Sequence, residues 1–134
     1  MNYLGLDWGK SKIGIAIGSD ETKIASPILT LSYHSMSEVT DKLADLIVSE
    51  QTEAFVIGHP VSLAGEAKRE ENFRQFVLEI ETLGLPVYFE DERLSTKYAA
   101  SLARQFQGFK KVSDDEVAAA AILQSFLDRG DKRA

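Results

Sequence analysis

The chain opens on a short alternation. Leu4 and Leu6 fall on one side of a strand predicted over residues 2–8. Gly9-Lys10-Ser11-Lys12 then reads as a turn. Ile13, Ile15 and Ile17 alternate with Gly14, Ala16 and Gly18, a period of two that predicts a second strand. The small residues on its second face predict that another element packs closely there. A third strand is predicted over 24–31, with Pro27 marking an edge or a bulge. The first third of the chain is therefore expected to be an antiparallel meander.

The period then changes. Met36, Val39, Leu43, Leu46 and Ile47 fit one face of a helix over 36–49. Ala54-Phe55-Val56-Ile57 lacks alternation, as a central strand buried on both faces does, and Gly58-His59-Pro60 is read as its stop, with a loop to Gly65. Phe73, Phe76, Val77, Ile80 and Leu83 predict a second helix, closed by Gly84. A strand follows over 86–91. Ser95 is expected to cap a third helix carrying Ala99, Leu102, Ala103 and Phe106. Residues 107–112 form a basic loop. Ser113-Asp114-Asp115-Glu116 has the form of a capping box, so a last helix starts there and runs to about Asp128. This order predicts an α/β fold with a mixed sheet, and 134 residues suit a single domain.

Composition narrows the classes. Apolar residues make up 44% and charged residues 27%, which argues for a packed core rather than disorder. No apolar run approaches the ~20 residues of a membrane span, and no basic leader precedes an apolar stretch at the N-terminus. A cytoplasmic protein without a membrane partner is expected. The absence of cysteine excludes disulfides, thiolate metal sites and cysteine nucleophiles. The net charge of −6 argues against coating nucleic acid by charge alone. It leaves room for an enzyme whose acids hold metal and whose cations are local. Residues 36–56 set five acids against Lys42, whereas 97–111 hold Lys97, Arg104, Lys110 and Lys111 without an acid.

Three acidic places could carry chemistry. Asp7 closes the first strand, where a turn-capping role competes with a ligand role. Trp8 beside it reads as a packing residue. Glu90-Asp91-Glu92 ends the last strand, and open α/β sheets place ligands at the carboxyl ends of strands. Arg93 could pair with those acids or contact substrate. Asp114, Asp115 and Glu116 suit the first turn of a helix through the dipole alone. Asp115 shares a stripe with Ala118, Ala119 and Ile122, the face suited to a sheet, and so is preferred to Asp114. Carboxylates at three such ends suggest a hard cation such as Mg²⁺ with oxygen ligands. His34 reads as a surface residue and His59 as a loop residue near the cleft. Neither forms a zinc-motif spacing, and no glycine-rich nucleotide loop is present.

Four blocks together resemble the YqgF (RuvX) family, in the Holliday-junction-resolvase branch of the ribonuclease-H-like superfamily. They are Leu4-Gly5-Leu6-Asp7-Trp8-Gly9 with Lys12-Ile13-Gly14-Ile15-Ala16; Val56-Ile57-Gly58-His59-Pro60 with Gly65; Asp91-Glu92-Arg93-Leu94-Ser95-Thr96; and Asp115 with Ala118, Ala119 and Ile122-Leu123-Gln124. His59 departs from the pattern, which usually has an apolar residue there. The resemblance implies a five-stranded mixed sheet, its first three strands antiparallel, with helices on both faces. It implies a nuclease site of Asp7, Glu92 and Asp115 holding Mg²⁺, with Mn²⁺ as a substitute, and it supplies the choice of Glu92 over Glu90. It favours structured RNA, the 5′ end of pre-16S rRNA, over four-way DNA. Lys12, Arg93, Lys110 and Lys111 are candidates for phosphate contacts. A junction resolvase and a non-catalytic nucleic-acid-binding module are the alternatives. The opening hairpin also resembles that of actin-like and hexokinase-like ATPases, but their two-domain architecture exceeds this length.

Overall fold

The alternation of residues 13–18 is realised as a strand whose two faces differ in kind: isoleucines on one side, Gly14, Ala16 and Gly18 on the other. In the computed structural model, which describes residues 1–60, 66–95, 98, 104 and 114–130, this is β2 (Lys12–Ser19). It lies between β1 (Asn2–Trp8) and β3 (Ala25–Ser32), antiparallel to both. The register shifts between Ile15 and Ala16, opposite Pro27, so the proline lies both on the edge strand and at the irregularity. That is where a residue without an N–H costs least.

Helix α1 (Met36–Ser49) has the predicted bounds. The Glu38 carboxylate accepts the backbone N–H groups of His34 and Ser35 at 2.7 and 3.0 Å, closing its first turn. Strand β4 (Ala54–His59) pairs parallel with β1, and β5 (Val87–Asp91) pairs parallel with β4, giving the order β3-β2-β1-β4-β5. Helix α2 (Ala67–Glu81) links β4 to β5. Gly84 lies beyond its end at φ +85°, the left-handed conformation that glycine adopts without strain. The last helix, α3 (Asp114–Arg129), ends one residue past the expected limit.

Two cores flank the sheet. Leu4, Leu6, Trp8, Ile13, Ile15, Phe55 and Ile57 pack beneath α1 and α2, against Val39, Leu43, Phe73, Phe76 and Ile80. Tyr3, Ala16 and Val56 pack on the other face beneath Ala119, Ile122, Leu123 and Phe126 of α3. Helices therefore cover both faces. The small residues let α3 sit directly on the sheet. A Cβ at Gly5 would come within 2.8 Å of Leu123 Cβ, and one at Gly14 would overlap the backbone carbonyl of Asp115. Among the described residues no helix is long and apolar enough to cross a membrane.

Two expectations are corrected. β4 does not stop at Ile57: Gly58 and His59 continue the ladder opposite Glu90 and Asp91, so His59 ends a strand rather than lying in a loop. Glycine is a poor strand former, but a Cβ at position 58 would overlap Ile122 of α3. Ser95 is not an N-cap. The chain is helical from residue 92, and the Asp91 carboxylate caps that turn by accepting the Arg93 N–H at 2.9 Å. Ser95 sits inside the turn and its hydroxyl donates to the Glu92 carbonyl at 2.8 Å. The expected loop 107–112 and the Ser113 cap lie outside the described residues, as do Ala99, Leu102, Ala103 and Phe106.

Candidate active site

β1 is the central strand, and Asp7 is its next-to-last residue. Period two places Asp7 on the face of Tyr3 and Gly5, under α3, and Trp8 on the opposite face. Gly14 is the register partner of Asp7 on β2, and the backbone of Asp115 rests on Gly14. The second residue of α3 is thus delivered beside the end of β1 by contact between backbones. Glu92 arrives from the other side, as the first helical residue after β5.

The charges of Glu92 and Asp115 both bear on Asp7. Burial pushes the Asp7 carboxyl up from its ordinary value of 3.8 to about 7; the negative charges of Glu92 and then Asp115 push it the same way. Asp7 is therefore only partly ionised at neutrality, and a bound cation would favour loss of its proton. Among the described residues no three acidic or imidazole side chains stand as a ready-made metal cage. The donor set is nonetheless the right kind: oxygen ligands only, half-buried, at the mouth of the central strand. Such a set suits a hard divalent cation that keeps some of its waters.

The neighbouring acids are spoken for. Glu90 lies on the α3 side but is fully buried, paired with Arg129 and accepting the Ser125 hydroxyl. Asp91 accepts three bonds from the Arg93 guanidinium, the shortest 2.7 Å, and Arg93 holds its carboxyl down at about 2. Arg93 is thus tied to its own strand end, although its side chain is 75% exposed. Asp114 is exposed, whereas Asp115 is half-buried and Glu116 buried. The stripe that singled out Asp115 is less distinctive than expected, because Val117, Ala121 and Ser125 on the Asp114 side are buried as well.

Lys12 is exposed at the start of β2; Lys110 and Lys111 lie outside the described residues. Trp8 packs edge-on against Phe73 at 5.4 Å, as a core residue. His34 is exposed at the surface. His59 meets Phe73 and Phe89 on the α2 side, away from Asp7. The buried group of Glu90, Ser125 and Arg129 escaped the sequence reading. Ser125 and Arg129 stand four residues apart on α3, but Gln124 and Asp128 show the same spacing, so spacing alone did not mark them. A cavity of about 420 Å³ lies by Asn2, Ser19 and Glu50 at the other end of β1, remote from the carboxylates.

The RuvX family profile, described as a Holliday junction resolvase, matches residues 1–129. A relative in Rickettsia africae is 34% identical over 131 residues, 93% of this chain and 84% of its own, and one in Rickettsia akari is 33% identical over the same span. The chain belongs to the RuvX family. Both relatives are named as candidate pre-16S rRNA nucleases. RuvX membership makes the chain a phosphodiester hydrolase and implies dependence on a divalent metal ion.

The fold has solved counterparts. Thermus thermophilus RuvC in complex with a Holliday junction superposes with a TM-score of 0.68 over 97% of both chains at 14% identity. The fowlpox virus resolvase with junction DNA gives 0.57 at 10% identity, over 98% of this chain and all of its own. The large terminase nuclease of phage G20c gives 0.57 at 13% identity, over 93% and 81%. These establish the ribonuclease-H-like resolvase fold expected from the sequence.

Proposed function

We propose that Asp7, Glu92 and Asp115 are the catalytic carboxylates, that they hold Mg²⁺ or Mn²⁺, and that the substrate is structured RNA at the 5′ end of pre-16S rRNA. The observation that carries the site is the state of Asp7, a carboxyl at the end of the central strand whose charge is opposed by burial and by two neighbouring carboxylates. The substrate assignment is supported by the names of the rickettsial relatives. A bound divalent ion would activate water and stabilise the leaving oxygen of the phosphodiester.

The protein's part is positioning. Asp7 must give up its proton to act as a ligand, which metal binding favours. Gly14 fixes Asp115 through backbone contact. Lys12, Arg93, Lys110 and Lys111 contact phosphates around the scissile bond. Arg93 does so from a side chain already oriented by Asp91. The place of work is the cytoplasm, where precursor rRNA is processed.

The family description favours a second reading, cleavage of four-way DNA. One experiment addresses both. End-labelled precursor 16S rRNA and a four-way DNA junction are incubated with the purified protein in Mg²⁺, Mn²⁺ or EDTA. Metal-dependent cut ends on the rRNA, absent with Asp7→Asn, are expected. Cleavage confined to the junction would transfer the assignment to DNA, and activity retained by Asp7→Asn would overturn the site.

A further inference from the structure

On the α2 side of the β1 end, opposite the carboxylates, lies a groove of about 290 Å³ lined by Trp8, Lys10, Glu66, Lys68, Arg69 and Asn72. It continues past Lys10 and Asn72 into a second hollow of about 210 Å³ bounded by Tyr33 and Gln75. Arg69 is held in place from two sides. Its guanidinium lies 5.9 Å from the Trp8 ring centroid and 3.4 Å from the Glu66 carboxylate. Lys10 and Lys68 are exposed, and among the described residues no carboxylate pairs with either.

The positions of the other described cations make this groove stand out. Arg74 pairs with Glu71, Arg93 with Asp91 and Arg129 with Glu90. Lys23 lies in the β2–β3 turn at the far end of the sheet, Lys42 lies on α1 among acids, and Arg104 is exposed on a helical stretch after β5. Lys10, Lys12 and Lys68 thus gather at the end of β1 that carries Asp7. In a chain of net charge −6, a local cluster of this kind is what a polyanion can use.

We propose that this groove is a subsite for the phosphate backbone of the substrate strand, a few nucleotides from the scissile bond, with Lys10, Lys68 and Arg69 as its cations and Asn72 as a neutral hydrogen-bonding partner. Asp7 and Trp8 are adjacent residues pointing to opposite faces, so a strand crossing the Gly9–Lys12 turn passes from the carboxylates into the groove. Trp8 acts as the floor that orients Arg69 rather than as a stacking platform, since it is only 8% exposed. The subsite rests on the nuclease reading for its ligand but not for its test.

The test is equilibrium binding of a single-stranded RNA, and of DNA of the same sequence, measured by fluorescence anisotropy in EDTA across a salt series. Wild type is compared with Lys10→Ala/Lys68→Ala and with a Lys23→Ala/Lys42→Ala control. The groove variant should bind more weakly, and its log–log salt slope should fall by about 0.7 per lost contact, roughly 1.4 in all. The control should match wild type. Equal losses on RNA and DNA identify a backbone subsite indifferent to the sugar; loss on RNA alone identifies one that reads RNA. A slope unchanged from wild type on both strands overturns the subsite. Parallel cleavage in Mg²⁺ separates the two readings. Wild type that binds through the groove but never cuts overturns the catalytic assignment alone. Cutting with an unchanged salt slope overturns the groove alone.

Discussion

Asp7→Asn keeps the shape of the side chain and removes its charge, so it tests the electrostatic account before any substrate is added. In the folded protein the Asp7 carboxyl titrates at about 7, against 3.8 when unperturbed. Between those values the folded state holds a proton that the unfolded chain releases. Stability therefore falls as pH rises from about 4 to 7 and levels off above. Some three units correspond to about 4 kcal/mol as an upper bound. Partial exposure at the strand end brings the expectation to about 2–4 kcal/mol. Unfolding entropies of about 2.1 cal/mol/K per residue convert this to roughly 7–14 °C for a chain of this length. Metal-free Asp7→Asn should therefore melt that much higher than wild type at pH 8, and the gap should close near pH 4. Adding Mg²⁺ should raise the melting temperature of wild type and leave the variant unmoved. Scanning calorimetry in EDTA from pH 4 to 8 is the assay. Parallel pH profiles for the two proteins would refute the claim that Asp7 is held against its charge by its neighbours.

Glu92→Gln and Asp115→Asn should each remove most metal-dependent cleavage while Asp114→Asn retains it; equal losses at Asp114 and Asp115, measured as initial rates, would contradict the placement of α3. Glu90→Gln should act on stability instead, because it strips the buried partner of Arg129. With Arg129 partly exposed, the loss should be about 1–3 kcal/mol in urea unfolding, with the cleavage rate per folded molecule nearly kept. Gly14→Ala should cost about 1–3 kcal/mol through overpacking and also lower activity, because the atom it meets belongs to the Asp115 backbone and cannot rotate away. Full activity in a folded Gly14→Ala protein would show that Asp115 is not positioned by this contact.

Much of the fold was legible because local pattern and tertiary role agree. The alternation of β2 announced a close-packed face, and Gly14 and Gly18 meet α3 there. The stripe of α1 named its buried residues Val39, Leu43 and Leu46. Boundaries failed where one residue had two competing signals. Gly58 looked like a terminator because glycine weakens strands, yet only glycine fits under Ile122. Ser95 looked like a cap, but Asp91 stands where the strand turns into helix and takes that part. The placement of Asp7 at the end of the central strand was legible from the strand pattern, and that of Asp115 on the sheet side of α3 only in part, because residues on the Asp114 side are buried as well. Glu92 could not be separated from Glu90 by period, since the strand ends between them, and family resemblance made that choice. The fate of Glu90 was beyond sequence reading, because its partner lies 39 residues away on another element.

The seating of α3 on the glycine track also has a consequence for synthesis. The carboxylates of the proposed site come from positions 7, 92 and 115, so the last of them is made long after the hairpin that receives it. A nascent chain can form the β1–β3 meander from local contacts, but the face of Tyr3, Ala16 and Val56 stays uncovered until α3 emerges and docks. Burial of that face and arrival of Asp115 are one event. A chain lacking α3 would carry Asp7 and Glu92 without Asp115, and an open apolar surface. On the proposed site, the set of carboxylates would therefore be complete only once α3 has emerged and docked.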